Sequence, residues 1–323
     1  MKLSKFLGVG LSALSLVTYQ TAFAGTDDSD QSKTVATNAV VASDKGAPLP
    51  LHDVEGNGGV LVTQSAYIVN PPREGQPVGL PAIGTGFISL GHGQILVPTT
   101  ATWSPIARVE LGYGFDYFNL GTLPGLVNQA TGVRIQQQVY LNNFNARFQL
   151  IKENEFGQNW LPAVTFGVAY KYNSGISTIN HDLGNLLSKI GDGGNQGVDF
   201  TLYGTKLLTF IPNHPILLDA GIRETRGQEL GLLGFSSKYT ALFEGNAGIF
   251  LTNWLILAGE FRAQPNAYTA IPGVINRSGN WETVDLAWIV NKHLTIAAGY
   301  GYFGTVLNTL DNGVFGVTAK YEF

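Results

Sequence analysis

The chain has 323 residues, of which 13% are charged, 11% are aromatic and none is cysteine. The lack of cysteine excludes a disulfide framework and a thiolate metal site. The net charge of -4 argues against nucleic acid as a partner, and the shortage of long apolar runs after the N-terminal region argues against a spanning helix.

The N-terminus has the features of a secretory signal peptide. Lys2 and Lys5 precede an apolar stretch over residues 6–17, and a small-x-small motif ends at Ala24. We therefore predict that residues 1–24 are a signal peptide, that cleavage leaves Gly25 as the first mature residue, and that the protein leaves the cytoplasm.

The next region is polar and poor in aromatic residues, so residues 25–58 are predicted to be a flexible periplasmic segment. The following stretch, 59–69 (GVLVTQSAYIV), is apolar. A closed single-chain barrel needs an even number of strands, and this stretch would be a thirteenth candidate. Either it lies inside the barrel, or the strand limits before Ala107 are misplaced.

Twelve segments of alternating pattern follow, and they define a barrel domain over residues 59–323 together with that apolar stretch. The predicted fold is all-β: a transmembrane antiparallel β-barrel of about 12 strands, within a range of roughly 10 to 14, of the outer-membrane type. The predicted strands are 82–91, 94–103, 107–118, 138–151, 161–173, 198–210, 215–226, 239–251, 254–264, 281–290, 293–303 and 313–323.

The last segment, 313–323, has the clearest pattern. Its outward face would carry Phe315, Val317, Ala319, Tyr321 and Phe323, and its inward face small or polar residues. Taken alone it could also be a strand of a soluble sandwich. Ending the chain on Tyr321 and Phe323 resembles the signal that the bacterial barrel assembly machinery reads.

The connections alternate in length. Turns near 104–105, 153–160, 212–215, 252–253 and 291–292 are mostly short, whereas 119–137, 174–197, 227–238, 265–280 and 304–312 are longer. This segregation is typical of outer-membrane barrels, which have tight periplasmic turns and long outer loops.

Most charges on the predicted strands fall on one face, which we assign to the lumen because a charge facing lipid at mid-bilayer costs roughly 2–4 kcal/mol. Asn142 and Lys206 fall on the opposite face, so a β-bulge or a shifted strand limit is expected near each. The predicted lumen-lining residues are Arg108, Glu110, Asp116, Arg147, Lys171, Asp199, Asp219, Arg223, Glu244, Glu260, Arg262 and Asp285.

Enzymatic signals are weak. The five histidines, His52, His92, His181, His214 and His293, have no convincing nucleophile and acid partners in the sequence. Histidines and carboxylates at metal-ligand spacing are also missing. We therefore predict no enzyme activity, no cofactor and no metal.

Five segments together resemble a family of proteobacterial outer-membrane proteins catalogued as a domain of unknown function. They are RVELGYGFDYFNLG (108–121), WLPAVTFGVAYKYN (160–173), LLGFSSKY (232–239), LTNWLILAGEFRAQPN (251–266) and WETVDLAWIVNKHLTIAAGY (281–300). The resemblance runs from about Gly58 to the end. It implies an outer-membrane location and a barrel fold, and supplies no catalytic or binding residue.

Two functions fit this sequence. The leading hypothesis is a narrow channel or transporter for small solutes with a mixed-charge lumen. The alternative is a non-conducting structural or surface-interaction barrel that presents its long outer loops, with the lumen charges forming a plugging network. The expected partners are outer-membrane lipid and lipopolysaccharide, the barrel assembly machinery and small solutes, with no nucleic acid.

Overall fold

The structure, a computed structural model, describes residues 49–270, 276–306, 309–311 and 313–323. The predicted signal peptide, with Ala24 and Gly25 at its cleavage site, and residues 25–48 of the predicted flexible segment lie outside the described residues. The main element of the described chain is a closed barrel of twelve antiparallel strands.

The strands and helices follow in chain order. Two short strands, β1 (Leu51–His52) and β2 (Gly58–Gly59), pair with each other before the barrel begins. The barrel strands are β3 (Ala82–Gly91), β4 (Gln94–Ile106), β5 (Val109–Leu120), β6 (Gln138–Ile151), β7 (Ala163–Asn173), β8 (Gln196–Leu208), β9 (Ile216–Gly227), β10 (Phe235–Thr252), β11 (Leu255–Arg262), β12 (Trp281–Ile289), β13 (Leu294–Tyr302) and β16 (Val314–Glu322). A small hairpin, β14 (Gly304–Val306) and β15 (Thr309–Asp311), lies between the last two of them.

Each barrel strand pairs with its neighbours in sequence, and β16 closes the barrel by pairing with both β13 and β3. The closing register runs from Glu322 opposite Ala82 to Phe315 opposite Ser89. All twelve predicted strands are confirmed as elements of the barrel, with limits that differ by a few residues at most.

The two faces of the strands differ as the alternation predicts. On β16, Phe315 and Tyr321 are exposed on the outer surface, while Lys320 and Glu322 are buried inside. The same holds on β5, where Leu111 and Tyr113 face outward and Glu110 is buried. An apolar outer surface around a polar interior is the arrangement that lipid requires of a closed barrel.

The expected bulges at Asn142 and Lys206 are wrong, because Asn142 is paired in register with both neighbouring strands and Lys206 is paired in register with β9. Asn142 does face outward, and its Oδ1 accepts a 2.8 Å hydrogen bond from the Tyr113 hydroxyl. Lys206 reaches along the outer surface to the turn after β6, where its Nζ lies 2.6 Å from both Asn154 Oδ1 and the Asn159 carbonyl oxygen. Each polar group is thus satisfied without a change of register.

The two ends of the barrel are distinguished by their connections. At the short-turn end, β10 joins β11 through two residues and β12 joins β13 through four. At the long-loop end lie the connections 121–137, 174–195, 228–234, 263–280 and 303–313. The barrel chain enters at β3 and leaves at β16 through the short-turn end, which therefore faces the periplasm by the usual rule for bacterial barrels.

Three short helices lie in the long loops. They are α1 (Leu123–Thr131), α2 (Ile176–Asp182) and α3 (Leu186–Lys189). Gly132 ends α1 with φ 74°, a left-handed conformation that suits glycine, and donates its N–H to the Asn128 carbonyl. None of the helices in the described part of the chain is long and apolar enough to cross a membrane.

The hydrophobic core lies inside the barrel, toward the long-loop end. It joins buried residues of the strands, such as Phe118 and Leu141, to residues of the loops, such as Leu230 and Leu187. Trp281 and Phe303 stack at its edge with ring centroids 4.1 Å apart. A smaller apolar cluster, including Leu207, Phe250 and Ile256, lies inside the short-turn end. The lumen is therefore filled with side chains at both ends.

Candidate functional site

The interior of the barrel contains a re-entrant piece of the N-terminal chain, residues 49–70, which we call the inner segment. It begins at the short-turn end, where Lys320 Nζ of the last strand donates to the Pro50 carbonyl. It returns to the same end, where the Tyr67 hydroxyl donates to Glu153 in the turn after β6. Nearly all of its residues are buried.

The position of the inner segment tests two predictions made from the sequence, for residues 49–58 and for residues 59–69. Residues 49–58 were predicted to belong to a flexible periplasmic segment, and this is wrong, because Asp53 and Glu55 are only 1% and 0% exposed inside the barrel. The polar composition that resembles a flexible tail instead matches the charged inner wall. Residues 59–69 lie in the lumen, which confirms one of the two alternatives raised by the strand count.

Inward-facing glycines of β5 make room for the segment. A Cβ atom on Gly112 would lie 2.2 Å from the Gly56 carbonyl oxygen, and one on Gly114 would lie 2.5 Å from that of Glu55. Gly56 itself has φ 80°, and a Cβ there would lie 2.5 Å from the Tyr113 carbonyl oxygen. The segment and the barrel wall are therefore in backbone contact, which only glycine permits.

Glu55 is the centre of an ionic cluster. Its carboxylate pairs with Lys171, with Arg223 (Nη2 to Oε2, 2.7 Å) and with Arg262 (Nη1 to Oε2, 3.0 Å). All four side chains are at most 3% exposed. A buried carboxylate is tolerated only when opposite charges and hydrogen bonds replace water, and three cations do so here.

Two further acids of the barrel wall complete this cluster. Asp199 Oδ2 lies 2.6 Å from Lys171 Nζ and 3.0 Å from Arg223 Nη1. Glu244 Oε1 lies 2.5 Å from Arg223 Nε and 3.3 Å from Arg262 Nε. With Glu55, the cluster holds three acids and three bases and is neutral. Without Glu55, the five wall residues would carry one net positive charge.

Glu260 holds the backbone of the inner segment. Its two carboxylate oxygens accept hydrogen bonds from the N–H groups of Leu61, Val62 and Thr63, at 2.8 to 3.2 Å. The Thr63 hydroxyl adds a fourth donor at 2.5 Å. Successive N–H groups that converge on one anion form a nest, a known way for backbone to bind negative charge.

A second ion pair binds the main chain of the inner segment between Gly58 and Val69. Arg147 Nη1 lies 2.7 Å from Glu110 Oε1, and both side chains are buried. The arginine also donates to the Gly58 and Ser65 carbonyls, while Glu110 accepts from the N–H groups of Gly58 (3.1 Å) and Val69 (2.7 Å). The barrel wall thus recognises the main chain of the segment as well as its charge.

Hydroxyl side chains of the wall bind the remaining polar groups of the segment. His52 ring nitrogens lie 2.8 Å from Thr100 Oγ1 and 2.9 Å from Thr102 Oγ1. Thr205 Oγ1 accepts from the Ala66 N–H at 2.6 Å and lies 3.2 Å from Ser65 Oγ. These contacts satisfy groups that burial would otherwise penalise.

The loop 228–234 closes the other side of the cluster, because it folds inward from the long-loop end. Lys171 Nζ donates to the Leu230 carbonyl at 3.1 Å, and Asn173 Nδ2 donates to the carbonyls of Gly231 and Leu232, both at 2.9 Å. Glu229 and Leu230 have positive φ (43° and 66°), an uncommon conformation for such residues. Lys171 therefore contacts the inner segment and the inward loop together.

Two buried carboxyl groups of the long loops near the Glu55 cluster have raised pKa values. Burial raises the pKa of Asp192 to about 8 and that of Glu229 to about 8. The backbone bridge between Gly194 and Phe235 joins the loop that carries Asp192 to the end of the inward loop. At neutral pH both carboxyls are therefore largely protonated, which lowers the cost of burying them.

The predicted lumen-lining residues meet inside the barrel with one exception. The assignment of Arg108 to the lumen is wrong, because its side chain is 40% exposed at the short-turn end, where it pairs with Glu155 of the turn after β6. It lies just before β5, so the alternation of the strand does not govern it. The others are buried in the interior: Glu110, Asp116, Arg147, Lys171, Asp199, Asp219, Arg223, Glu244, Glu260, Arg262 and Asp285.

Sequence reasoning missed the contribution of the inner segment, above all Glu55. A signal was present, because the turn-forming stretch GNGG (56–59) joins an acidic stretch to an apolar one, and such a pattern favours a re-entrant turn over a tail. Lys320 and Glu322, which pair at 2.5 Å inside the short-turn end, were placed on the inner face but were not named as lumen residues.

The histidines show no catalytic arrangement in the part of the chain that the structure describes. The ring nitrogens of His214 and His293 lie 2.9 Å and 2.8 Å from backbone carbonyls, and those of His52 contact threonines. His181 is 89% exposed beside Asp182. Among the described residues, no group of three or more His, Cys, Asp or Glu side chains could hold a metal ion.

Comparison with solved structures finds other outer-membrane proteins. The porin NanC is 10% identical over 75% of this chain and 100% of its own, with a TM-score of 0.45. Omp33 of Acinetobacter baumannii is 7% identical over 76% and 99%, with a TM-score of 0.38. Outer membrane phospholipase A of Escherichia coli is 10% identical over 76% and 92%, with a TM-score of 0.34. These scores are too low to support any statement about activity.

Curated proteins give no match to this chain. A family model does match, over residues 52–315, and it covers the inner segment from His52 onward and the barrel up to the start of its last strand. The resemblance noted in the sequence began at about Gly58, so the family match extends it to include His52, Asp53 and Glu55. A closed barrel with an apolar outer face and a charged, filled interior is a protein of the outer membrane. The chain belongs to the family described as Protein of unknown function (DUF3034).

Proposed function

We propose that the protein is a small-solute channel of the outer membrane that its own inner segment closes at rest. The observation that carries this proposal is the position of residues 49–70 inside the barrel, bound by Glu260 through backbone N–H groups and by three wall cations through Glu55. Conduction then requires the segment to move.

Two features support a removable closure over a permanent core. The segment enters and leaves through the same end of the barrel, so it can withdraw without threading the chain through the lumen. Its charged and polar groups are held by ion pairs and hydrogen bonds, which water and counterions can replace, while Val54, Leu61 and Val62 also pack in the hydrophobic core.

An open lumen would be lined by charges of both signs. Arg223 and Arg262 pair with Asp199 and Glu244 on adjacent strands of the wall. Charges of both signs along a lumen interact with polar solutes and set ion selectivity. Substitution of Arg262 or Glu260 is therefore expected to change the selectivity of the open state.

A second function is favoured by a different observation. The Glu55 cluster is neutral and paired, and an apolar core seals the lumen beside it. A lumen of this composition also suits a permanently closed barrel, whose role would be to present its long loops to a lipid or protein partner. In either case we propose that the protein is not an enzyme, that it contacts outer-membrane lipid and lipopolysaccharide, and that the barrel assembly machinery recognises Tyr321 and Phe323.

A disulfide between the inner segment and the barrel wall would distinguish the two proposed functions. The chain has no cysteine, and the Ser65 and Thr205 hydroxyl oxygens lie 3.2 Å apart, a spacing from which two sulfurs can bond after a small shift. We would record single-channel conductance of the Ser65→Cys/Thr205→Cys protein in planar bilayers, with the Ser65→Cys protein as control.

The channel proposal expects infrequent openings of the wild-type protein, more openings of Glu55→Gln, and none from the oxidised double variant until a reductant is added. Equal conductance of the oxidised and reduced forms would show that the segment is not the gate. Silence of every correctly folded variant, Glu55→Gln included, would overturn the channel and support the closed barrel.

A further inference from the structure

The barrel wall binds both oxygens of the Glu55 carboxylate. Arg223 approaches it as a fork, with Nη1 3.2 Å from Oε1 and Nη2 2.7 Å from Oε2. Lys171 Nζ donates to Oε1, and Arg262 Nη1 donates to Oε2 at 3.0 Å. Each oxygen thus accepts two hydrogen bonds, which matches the roughly four lone-pair sites of a carboxylate. Paired guanidinium N–H groups also fit a planar carboxylate better than a spherical anion such as chloride.

The wall residues around this carboxylate are bound to one another as well. Asp199 Oδ2 lies 2.6 Å from Lys171 Nζ and 3.0 Å from Arg223 Nη1, and Glu244 Oε1 lies 2.5 Å from Arg223 Nε and 3.3 Å from Arg262 Nε. The three cations therefore keep partners on the wall when the inner segment is absent. Their charge exceeds that of the two wall acids by one, so the vacated site matches an anion with a single negative charge.

Two other buried acids near Glu55 are held by different groups. Asp53 Oδ1 accepts the backbone N–H groups of Glu55 at 3.0 Å and Asn57 at 2.8 Å, within the inner segment itself. Asp116 Oδ2 accepts from Asn143 Nδ2 at 3.0 Å on the wall. Glu55 is thus the carboxylate of the segment that the wall cations bind.

We propose that Lys171, Arg223 and Arg262 form a binding site for small monocarboxylates, which Glu55 occupies in the closed barrel in place of the solute. The solute class rests on the proposed channel function, whereas the binding site does not. A monocarboxylate that replaces Glu55 removes the central ionic contact of the inner segment. Because it binds this site only when Glu55 has left, it favours the open form by linkage.

Chemical rescue of Glu55→Ala tests the site. The substitution deletes a CH₂ group and the carboxyl group, which together have the size of acetate, and the segment remains bound through Glu260 and Arg147. We would measure the thermal midpoint of the protein in lipid nanodiscs. The probes are sodium formate, sodium acetate and sodium chloride at equal ionic strength, and acetamide as a neutral molecule of the same shape as acetate.

Formate or acetate should stabilise Glu55→Ala. A ligand in roughly tenfold excess over its dissociation constant, binding only the folded protein, is expected to raise the midpoint of a chain of this size by about 3 °C. Chloride and acetamide should act much more weakly, because one is not planar and the other is not charged. Wild type and Glu55→Gln should not respond, because a side chain fills the site in both.

Asp116→Ala is the matched control. It also deletes a buried carboxyl group of the lumen, but one whose partner is the Asn143 amide. Acetate should therefore not raise its thermal midpoint beyond the effect on wild type.

Glu55→Gln tests the solute class and also serves if Glu55→Ala does not fold. Its openings in planar bilayers under a sodium acetate gradient should favour acetate over sodium ions several-fold, because the open wall carries the excess positive charge. Openings without that preference would overturn monocarboxylates as the solute.

Two outcomes with Glu55→Ala would overturn the binding site itself. One is a folded variant whose midpoint does not respond to formate or acetate, and the other is equal stabilisation by acetate, chloride and acetamide. Rescue of Glu55→Ala together with silence of Glu55→Gln in bilayers would support the site and overturn its role in transport. Failure of the site and failure of the channel are therefore distinguishable.

Discussion

The Glu55 carboxylate lies 2.7 Å from the Arg223 guanidinium inside the barrel, although 168 residues separate the two in the chain. The pair joins the inner segment to β9, and Arg223 also contacts Asp199 and Glu244. Removing either member would leave an unmatched charge in a region from which water is excluded. The position of the segment and the stability of the barrel are therefore expected to depend on each other.

The first prediction concerns this pair. Glu55→Gln keeps the size of the side chain but removes its charge, so the wall cluster is left with one excess positive charge. Loss of one partner of a buried ion pair costs about 3–5 kcal/mol. Urea unfolding of the folded barrel should show a loss of that order, whereas Glu74→Gln, at an exposed position outside the barrel, should behave as wild type. Equal stability of the two variants would contradict the role of Glu55.

The second prediction concerns the backbone contact with β5. Gly114→Ala places a methyl group 2.5 Å from the Glu55 carbonyl oxygen, so the segment must shift or leave. Such overpacking typically costs about 1–3 kcal/mol. Gly259→Ala is the matched control on another strand, because its Cβ would meet nothing closer than the Thr283 carbonyl oxygen at 3.7 Å. A thermal midpoint lowered by Gly114→Ala and unchanged by Gly259→Ala is the expected result.

The third prediction concerns the Glu260 anchor. Glu260→Leu removes the acceptor of three backbone N–H groups, and each buried group left without a partner costs about 1–3 kcal/mol. Ala66→Cys, at a position that is 0% exposed, reports the state of the segment in this cysteine-free chain. We expect a water-soluble maleimide to label Ala66→Cys at least tenfold faster in the Glu260→Leu background.

Phe156→Cys controls this labelling experiment, because that side chain is 78% exposed in a turn at the short-turn end. It should react at one rate in both backgrounds. If Ala66→Cys were also equally reactive in both, Glu260 would not hold the segment.

The fourth prediction concerns pH. Glu229 and Asp192 each have a pKa raised to about 8, against ordinary values of 4.5 and 3.8. Between about pH 4 and pH 8 the two carboxyl groups stay protonated while the loops are closed and lose their protons when the loops open. The closed form is therefore most stable below about pH 4 and loses that advantage as the pH rises through 8. Hydrogen exchange of residues 228–234, corrected for the intrinsic pH effect, should show less protection at pH 8 than at pH 5.

Neutral variants control the pH prediction. Glu229→Gln and Asp192→Asn carry no titrating proton, so protection of the loop in the double variant should be nearly the same at pH 5 and pH 8. A pH dependence that persists in the double variant would assign it to other groups.

The barrel could be predicted from sequence because each strand buries one face and exposes the other to lipid, and this forces a period of two on the residues. Arg223 and Arg262 were assigned to the lumen by that period alone. The inner segment obeys no such period. Glu55 is buried because charges from three different strands meet it, and those strands are brought together only by closure of the barrel.

Arg108 and Lys206 show the limits of the same rule at the barrel rim. Arg108 lies outside the regular strand and turns to Glu155, while Lys206 faces outward yet reaches polar atoms of a turn. Long side chains near the ends of strands can reach the interface with water, so the face of the strand does not fix the position of their charge.

The neutrality of the Glu55 cluster bears on the order of events during biogenesis. The wall residues come from β7, β8, β9, β10 and β11, whereas Glu55 precedes the first barrel strand. β16 closes the barrel by pairing with β3, and its Lys320 side chain donates a hydrogen bond to the Pro50 carbonyl. We expect β16 to pair with β3 only after the inner segment has bound the barrel wall, so that the N-terminal chain would act as an internal template for closure of the sheet.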